Sequence, residues 1–435
     1  MSITFDKKSK TVLEIMENSP ENIFLTGNAG TGKSTLLEHF RNTSEKNIAI
    51  VAPTGVAAVN IKGETIHSFF GFSPNISPEK ASQDAKSTKK SKIYNALQIL
   101  VIDEISMVRA DLFDSIDAFL RSARKKDIPF GGVKVIMVGD LHQLPPVVTY
   151  AEKDALASMY ATPYFFSSNV FVGLFNSLFS QLKFVELQNI YRQKEKNFVE
   201  LLNKIRNKET TDKDLENLNR QVISDGDFIE DYIILTAINA QADKINDLRL
   251  NQIEGPTFSF RATTTGHFSA GQAPAADLIV LKTGARVMLL NNDPLGRWIN
   301  GTVGTLFRAQ SDFVYVKIDG GEVEKIEPVT WKSFKTVFNK EKASLETNEV
   351  GSYKQMPIRL AWAITIHKSQ GKTFEKVAID LGRGAFAHGQ TYVALSRCTT
   401  LSGLKLIQPI NEQSIIMDPR VTDFLNRLRL QVEPL

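Results

Sequence analysis

Cysteine is nearly absent: Cys398 stands alone in 435 residues. No intrachain disulfide can form, and there is no cysteine-rich zinc site. Long apolar runs are missing too. Stretches such as Ile99–Ile102 are strand-sized, far short of the ~20 residues that span a bilayer. The opening residues, MSITFDKKSKTV, hold no apolar stretch of signal-peptide length. No repeat of fixed period is visible. Charge of one sign is barely in excess, with 52 basic and 48 acidic residues and a net charge of +4. That excludes a histone-like polycation but leaves room for a local basic groove. With 42% apolar and 23% charged residues, the composition also excludes a largely disordered chain, a collagen and a disulfide scaffold. The expectation is a soluble protein in a reducing compartment, with two to four domains at about 150 residues each.

Several short apolar runs end in turn residues and lead into helical patterns: NIFLTG (22–27), NIAIVAP (47–53), LQILVIDE (97–104) and VKVIMVGD (133–140). Near-continuous apolar strands suit a parallel sheet covered on both faces. In DLFDSIDAFLRSARKK (111–126), one helical face carries Leu112, Phe113, Ile116, Phe119, Leu120 and Ala123. The first 150 residues therefore read as a doubly wound α/β domain. The same rhythm returns in KFVELQNIYRQ (183–193) with FVELLNKIRNK (198–208), in DYIILTAINAQADKIN (231–246) and in KVAIDL (376–381). Between them, over about 256–355, short strands separated by Gly, Asn and Asp turns predict a small antiparallel barrel inserted into a second α/β domain. Residues 73–92, polar and rich in Lys and Ser, read as an exposed loop.

The chemistry concentrates in a few motifs. GNAGTGKST (27–35) fits the P-loop pattern, with Gly27, Gly32, Lys33 and Ser34 in register. Glycines let backbone N–H groups approach phosphate oxygens. Lys33 offers a cation to the β- and γ-phosphates, and Ser34 a hydroxyl to Mg²⁺. The helix that begins here adds its positive dipole end. Gly27, Asn28, Ala29, Gly30, Thr31, Gly32, Lys33, Ser34 and Thr35 are thus the candidate nucleotide cradle. LVIDEIS (100–106) ends a strand in Asp103 and Glu104, the first suited to the magnesium shell and the second to polarising the attacking water. In GDLHQLPPV (139–147), Gln143 stands where an amide can sense the γ-phosphate. His142, taken alone, reads as a hydrogen-bonded structural residue. A P-loop by itself leaves kinase, GTPase and motor ATPase open; the second carboxylate disfavours a small-molecule kinase.

Eight motifs occur in the order found in superfamily 1B DNA helicases. They are GNAGTGKST, APTGVAA (52–58), TIHSFFGF (65–72), LVIDEISM (100–107), GDLHQLPPV, ELQNIYRQ (186–193), TIHKSQGKTF (365–374) and YVALSRCT (392–399). Within that group the chain resembles the PIF-one helicases, relatives of the bacterial RecD subunit. Residues 111–132 are similar to the element that separates the two. The resemblance runs from about residue 20 to residue 405.

The resemblance implies a monomeric motor of two RecA-like domains, driven by ATP and Mg²⁺ (held by Ser34 and Asp103), with nucleotide in the cleft between them. Arg192 and Arg397 match the family arginines that reach across to the γ-phosphate. Read alone, either arginine fits a surface ion pair. Pro53, Thr54, Gly55, Val56, His67 and Phe69 match DNA-contacting motifs on the first domain, with His142 beside them. Thr365, His367, Lys368 and Ser369 match those on the second. Of Phe69 and Phe70, one reads as core packing.

The implied organisation is domain 1A over 1–183, with a wedge insertion 1B near 63–92. Domain 2A is formed by 184–255 and 355–435, and an SH3-like domain 2B spans 256–354. The implied activity is 5′-to-3′ translocation on single-stranded DNA and unwinding of forked or tailed duplexes, in replication, repair or recombination. The family also admits RNA–DNA hybrids and G-quadruplexes as substrates. No membrane partner is implied. The shortness of the chain favours a bacterial or viral core, cytoplasmic and nucleoid-associated if bacterial. The N-terminal glutamine that reads adenine in the family has no counterpart in FDKKSKTVLEI (5–15). The competing readings are a RecD-like recombination-nuclease subunit and a nucleic-acid-binding ATPase that does not separate strands.

Overall fold

The apolar runs at both ends of the chain pair into two separate parallel sheets. This computed structural model describes residues 5–431 apart from 178–181, 194, 225–228, 230, 269–271, 340, 343 and 383. The first sheet contains β1 (Asn22–Gly27), β2 (Ile48–Ala52), β3 (Glu64–Thr65), β4 (Ile99–Ile102), β5 (Lys134–Val138) and β6 (Leu182–Leu187), in the order β3-β2-β4-β5-β1-β6. All its pairings are parallel. The second sheet is four-stranded and parallel, ordered Ala363–Thr365, Ile233–Thr236, Val377–Asp380 and Leu404–Leu406. Every residue of Ile99–Ile102 is buried, as both-face coverage demands.

Between 257 and 360 the strands are antiparallel. Five of them form one sheet: Val323–Ile326, Val314–Ile318, Val303–Ala309, Arg286–Leu289 and Ile358–Leu360. A long hairpin, Val329–Asn339 with Ser344–Gln355, leaves this sheet and reaches the first one. There the backbone N–H of Thr336 donates to Glu64 Oε1 at 2.6 Å, and that of Leu345 to Asn47 Oδ1 at 2.9 Å.

Three sequence expectations change. Residues 73–92 are not a loop. Ser77 caps a helix, Pro78–Ser87, by accepting from the Lys80 N–H at 3.3 Å, and Pro78 sits in its first turn. Ala81 and Ala85, four residues apart, are its buried face. They are small enough to let it lie against the helix Ala110–Arg124. Two alanines carry too little apolar signal to reveal a helix in so polar a stretch. Secondly, the boundary expected at residue 184 falls inside β6, which pairs with β1 over six residues. Thirdly, the C-terminal helix Pro419–Gln431 packs on the core of the first sheet, not the second. Phe424 stacks on Phe166 at 4.2 Å and lies within ring contact of Phe24, Phe165 and Phe171. Phe424→Ala will therefore cost about 3–5 kcal/mol of stability, the usual price of a buried aromatic. A chemical-denaturation midpoint unchanged from wild type would show that the helix adds nothing to that core.

Candidate nucleotide and nucleic-acid sites

The P-loop follows β1 directly. Gly27 must be glycine because a Cβ there would stand 2.5 Å from the Leu187 carbonyl oxygen of the neighbouring strand. Lys33 opens the helix Lys33–Thr43, and its Nζ donates to the carbonyls of Gly27 (2.6 Å) and Asn28 (3.0 Å). These are neutral acceptors that a phosphate can outcompete. Burial lowers the Lys33 pKa, and the fields of Asp140 and Glu104 oppose that. Ser34 faces solvent at the mouth of the loop.

Asp103 and Glu104 follow β4. Burial raises the pKa of both carboxyls; their mutual repulsion adds to the rise at Asp103, while Lys33 and Arg397 act against it at Glu104. Glu104 adopts φ +51°, ψ +44°, a left-handed conformation uncommon for a residue with a Cβ. Strain of this kind is retained where the surroundings over-determine it, as at catalytic positions. A buried acid pair whose carboxyl pKa values are raised, within the field of Lys33, fits a divalent cation together with the exposed Ser34 hydroxyl. Among the described residues no group of three or more His, Cys, Asp or Glu could hold a metal alone. The Ser34 hydroxyl and the Asp103 carboxylate suit Mg²⁺, which takes few protein ligands and completes its shell with phosphate and water. Gln143 is buried after β5 and donates to Asp140 Oδ2 at 3.3 Å.

The opposite wall of the cleft comes from the segments around the second sheet. The Tyr191 N–H donates to the Gly30 carbonyl at 2.9 Å. Gly30 (φ +83°) leaves room for Arg192, whose Cβ would stand 2.5 Å from a Cβ at that position. Arg192 Nη1 donates to the Ser396 carbonyl at 3.4 Å, and Gln193 holds the carbonyls of Ser396 and Cys398 at 2.9 and 3.0 Å. Arg397 is 1% exposed, and its hydrogen bonds reach the carbonyls of Val393, Ser369 and Lys372 and the Ser396 hydroxyl. Burial and then the neighbouring Arg192 charge push its pKa down to about 9. Two guanidinium groups that repel one another beside a P-loop make a site that gains from an incoming anion.

Three further contacts at this cleft escaped the sequence reading. Tyr392 Oη accepts from the Ala29 N–H at 3.2 Å, and Asn28 Nδ2 donates to Asn203 Oδ1 at 2.8 Å. The Tyr191 ring lies 3.8 Å from where a Cβ on Gly32 would stand. Only Tyr191 had a signal in sequence, its place beside Arg192.

The nucleic-acid candidates divide. Thr54 caps the helix Gly55–Asn60 by accepting from the Ala57 N–H at 3.3 Å, with Pro53 and Gly55 half-exposed and Val56 exposed. His67 is half-buried, and burial lowers its pKa. Phe69 does not face solvent. It is buried with Phe70 and Tyr94 in edge-to-face contacts at 4.8 and 5.6 Å, so both phenylalanines are core. His142 is buried too, with Nδ1 3.7 Å from Asp140 Oδ1, out of reach of DNA. Thr365 and Ser369 turn their hydroxyls onto their own turn: Thr365 Oγ1 accepts from the Lys368 N–H, and Ser369 Oγ donates to the Ile366 carbonyl. The reachable groups of that motif are His367 and Lys368. They line a cleft of about 480 Å³ with Ile238, Asn239, the exposed ring of Phe386 and, at its floor, the 3%-exposed Thr365.

A P-loop lysine, a strand-end acid pair, Arg192 after β6 and Arg397 after the helix Gln390–Leu395 define a two-lobed P-loop nucleotide-binding protein with its site at the junction of the lobes. The family described as PIF1-like helicase matches residues 5–216. The chain is 34% identical to the ATP-dependent DNA helicase Pif1 of Bdellovibrio bacteriovorus, over 97% of this chain and 92% of that protein. It is 33% identical to human ATP-dependent DNA helicase PIF1 over 94% of its own length, and spans 62% of that protein. A Bacteroides sp. Pif1 solved with ADP-AlF4 superposes with a TM-score of 0.89 at 34% identity, covering 99% of this chain and 98% of that one. Bacteroides Pif1 bound to single-stranded DNA gives 0.66 at the same identity and the same coverages. The chain belongs to the PIF1-like helicase family.

Proposed function

We propose that this chain is an ATP-dependent DNA helicase that moves 5′-to-3′ along single-stranded DNA and separates duplex ahead of it. The observation that carries the reading is the convergence of Lys33, Asp103, Glu104, Arg192 and Arg397 on one interlobe cleft, with Arg192 against the P-loop glycine Gly30. Tyr191 packs against the P-loop glycine Gly32, and its exposed ring supplies a flat face for the adenine of an ATP bound at the loop. Ser34 and Asp103 would hold Mg²⁺, which would supply positive charge against the charge developing on the phosphates. Glu104 orients the attacking water, and Gln143 registers the γ-phosphate. Arg192 and Arg397 stabilise the transferring group.

Arg397 belongs to the second lobe and Arg192 to the segment joining the two, so their engagement depends on closure of the cleft. His367 and Lys368 grip the strand on that lobe, and Thr54, Val56 and His67 on the first. Closure and reopening then move one grip relative to the other. The domain reading stays as above, with the antiparallel region in the role of an SH3-like module, except that β6 and the C-terminal helix join the first lobe. The motor acts as a monomer on forked or tailed DNA, G-quadruplex DNA included.

Duplexes with a 5′ or a 3′ single-stranded tail test this directly. With ATP the protein will unwind the 5′-tailed substrate and leave the 3′-tailed one intact. ATP hydrolysis with no strand displacement on either substrate would point instead to a nucleic-acid-binding ATPase.

A further inference from the structure

Asp140 follows Gly139 at the end of β5 and is 1% exposed. Its Oδ1 accepts from the His142 N–H and from Arg206 Nη2, both at 3.1 Å, and its Oδ2 from Gln143 Nε2 at 3.3 Å. Arg206 comes from the other side of the cleft, on the helix Lys196–Asn207. It is 7% exposed, and its Nε has no hydrogen-bond partner among the described residues. A buried ion pair thus crosses between the lobes through a single hydrogen bond. Burial pushes the Asp140 pKa up, but Arg206 and the His142 hydrogen bond outweigh it, so the carboxyl stays ionised and well below its usual range. Burial and Arg206 push the His142 pKa down to about 4, so its ring is neutral and Arg206 is the cation that balances Asp140.

A buried pair is a poor source of stability, because desolvation offsets most of its attraction. Its position matters more. Asp140 attracts Lys33 more strongly than any other group, and Arg206 acts on the same lysine with opposite sign. Lys33 itself is tied only to two carbonyls, which it can leave. The Gln143 amide hangs on the second oxygen of the same carboxylate. One anion therefore links the P-loop cation, the γ-phosphate sensor and a guanidinium from the opposite lobe.

We propose that Arg206 is a positioning residue of the ATPase: by neutralising Asp140 from across the cleft, it keeps Lys33 available to phosphate and holds the Gln143 amide in place. The proposal rests on the ATP-driven reading above. Without the guanidinium, Asp140 is a buried anion with amide donors alone, and Lys33 becomes the cation acting on it most strongly. Captured by Asp140, Lys33 is lost to the nucleotide. Opening of the cleft withdraws Arg206 in the same way, so nucleotide affinity depends on the lobes being together.

The test compares wild type with Arg206→Gln, Arg206→Lys and the double variant Asp140→Asn/Arg206→Gln. Affinity for a fluorescent ADP and a non-hydrolysable ATP analogue is measured without DNA, and DNA-stimulated turnover at saturating ATP. Arg206→Gln will weaken nucleotide binding about tenfold, while the double variant, which has no charge left to capture Lys33, returns to within about threefold of wild type. Arg206→Lys will keep most of the affinity. Wild-type affinity in Arg206→Gln overturns the proposal. So does a double variant as weak as the single one, since lost packing is not repaired by removing the partner charge. If Arg206→Gln does not fold, Arg206→Met, which keeps the side-chain length without its charge, and Asp140→Asn/Arg206→Met are compared in the same terms. Equal ATP hydrolysis by wild type and Lys33→Ala would instead overturn the motor reading, and the binding comparison would still stand.

Discussion

Alanine at Arg192 or at Arg397 will lower DNA-stimulated ATP turnover by about a thousandfold or more, while nucleotide affinity falls far less. The asymmetry follows from where the charge is needed. Negative charge spreads over the transferring phosphoryl group as the bond breaks, and a guanidinium aimed at it contributes to the transition state rather than to the ground state. Arg192 already sits against Gly30, and burial lowers its pKa without removing its charge at neutral pH. Arg397 stands beside it, fully enclosed and held by carbonyls that accept its protons without cancelling its charge. Lysine will rescue poorly at either position, because it lacks the planar fork that spans two phosphate oxygens. Arg397 also contributes to packing, so its variant is read beside a thermal melt; Arg192 is only partly buried and gives the cleaner result. Near-normal turnover in both variants would leave the second lobe with no chemical part in hydrolysis.

Glu104→Gln will bind ATP like the wild type and hydrolyse it about 10²–10⁴ times more slowly, the usual contribution of a positioned general base. Glutamine keeps the length and shape of the side chain, so the left-handed turn at 104 and the following backbone, where the Met107 N–H donates to the Glu104 carbonyl at 3.0 Å, are retained. What it loses is basicity. Burial raises the Glu104 pKa above the usual carboxylate range, although Lys33 and Arg397 pull the other way. Single-turnover and binding measurements separate the two effects. A wild-type rate in Glu104→Gln would remove the water-activating role and shift attention to Asp103.

The chemistry of the near side of the cleft could be read in the sequence because it is local. A P-loop, a strand ending in Asp103-Glu104 and the turn carrying Gln143 each lie within about ten consecutive residues, and backbone geometry places their groups without help from elsewhere. The alternation of apolar strands and helices likewise determined two parallel sheets, and the strand-and-turn texture of 256–355 determined the antiparallel region. Arg192 and Arg397 were found only because their neighbours resembled a family. No period or spacing joins them to Lys33.

The tertiary structure decided which of two competing environments each side chain entered. Phe69, His142, Thr365 and Ser369 carry groups that suit DNA, yet all four are enclosed. The helix at 78–87 exists because two alanines meet a neighbouring helix, and the C-terminal helix joins the first lobe because Phe166 and its neighbours offer a face for Phe424. Arg206, an ordinary basic residue on an amphipathic helix by sequence, becomes the partner of Asp140 across 66 residues. Short-range patterns determine backbone conformation because hydrogen bonding and rotamer sterics act within a few residues. Burial and charge pairing are settled by surfaces that meet only after folding, from residues whose separation along the chain carries no trace of the contact.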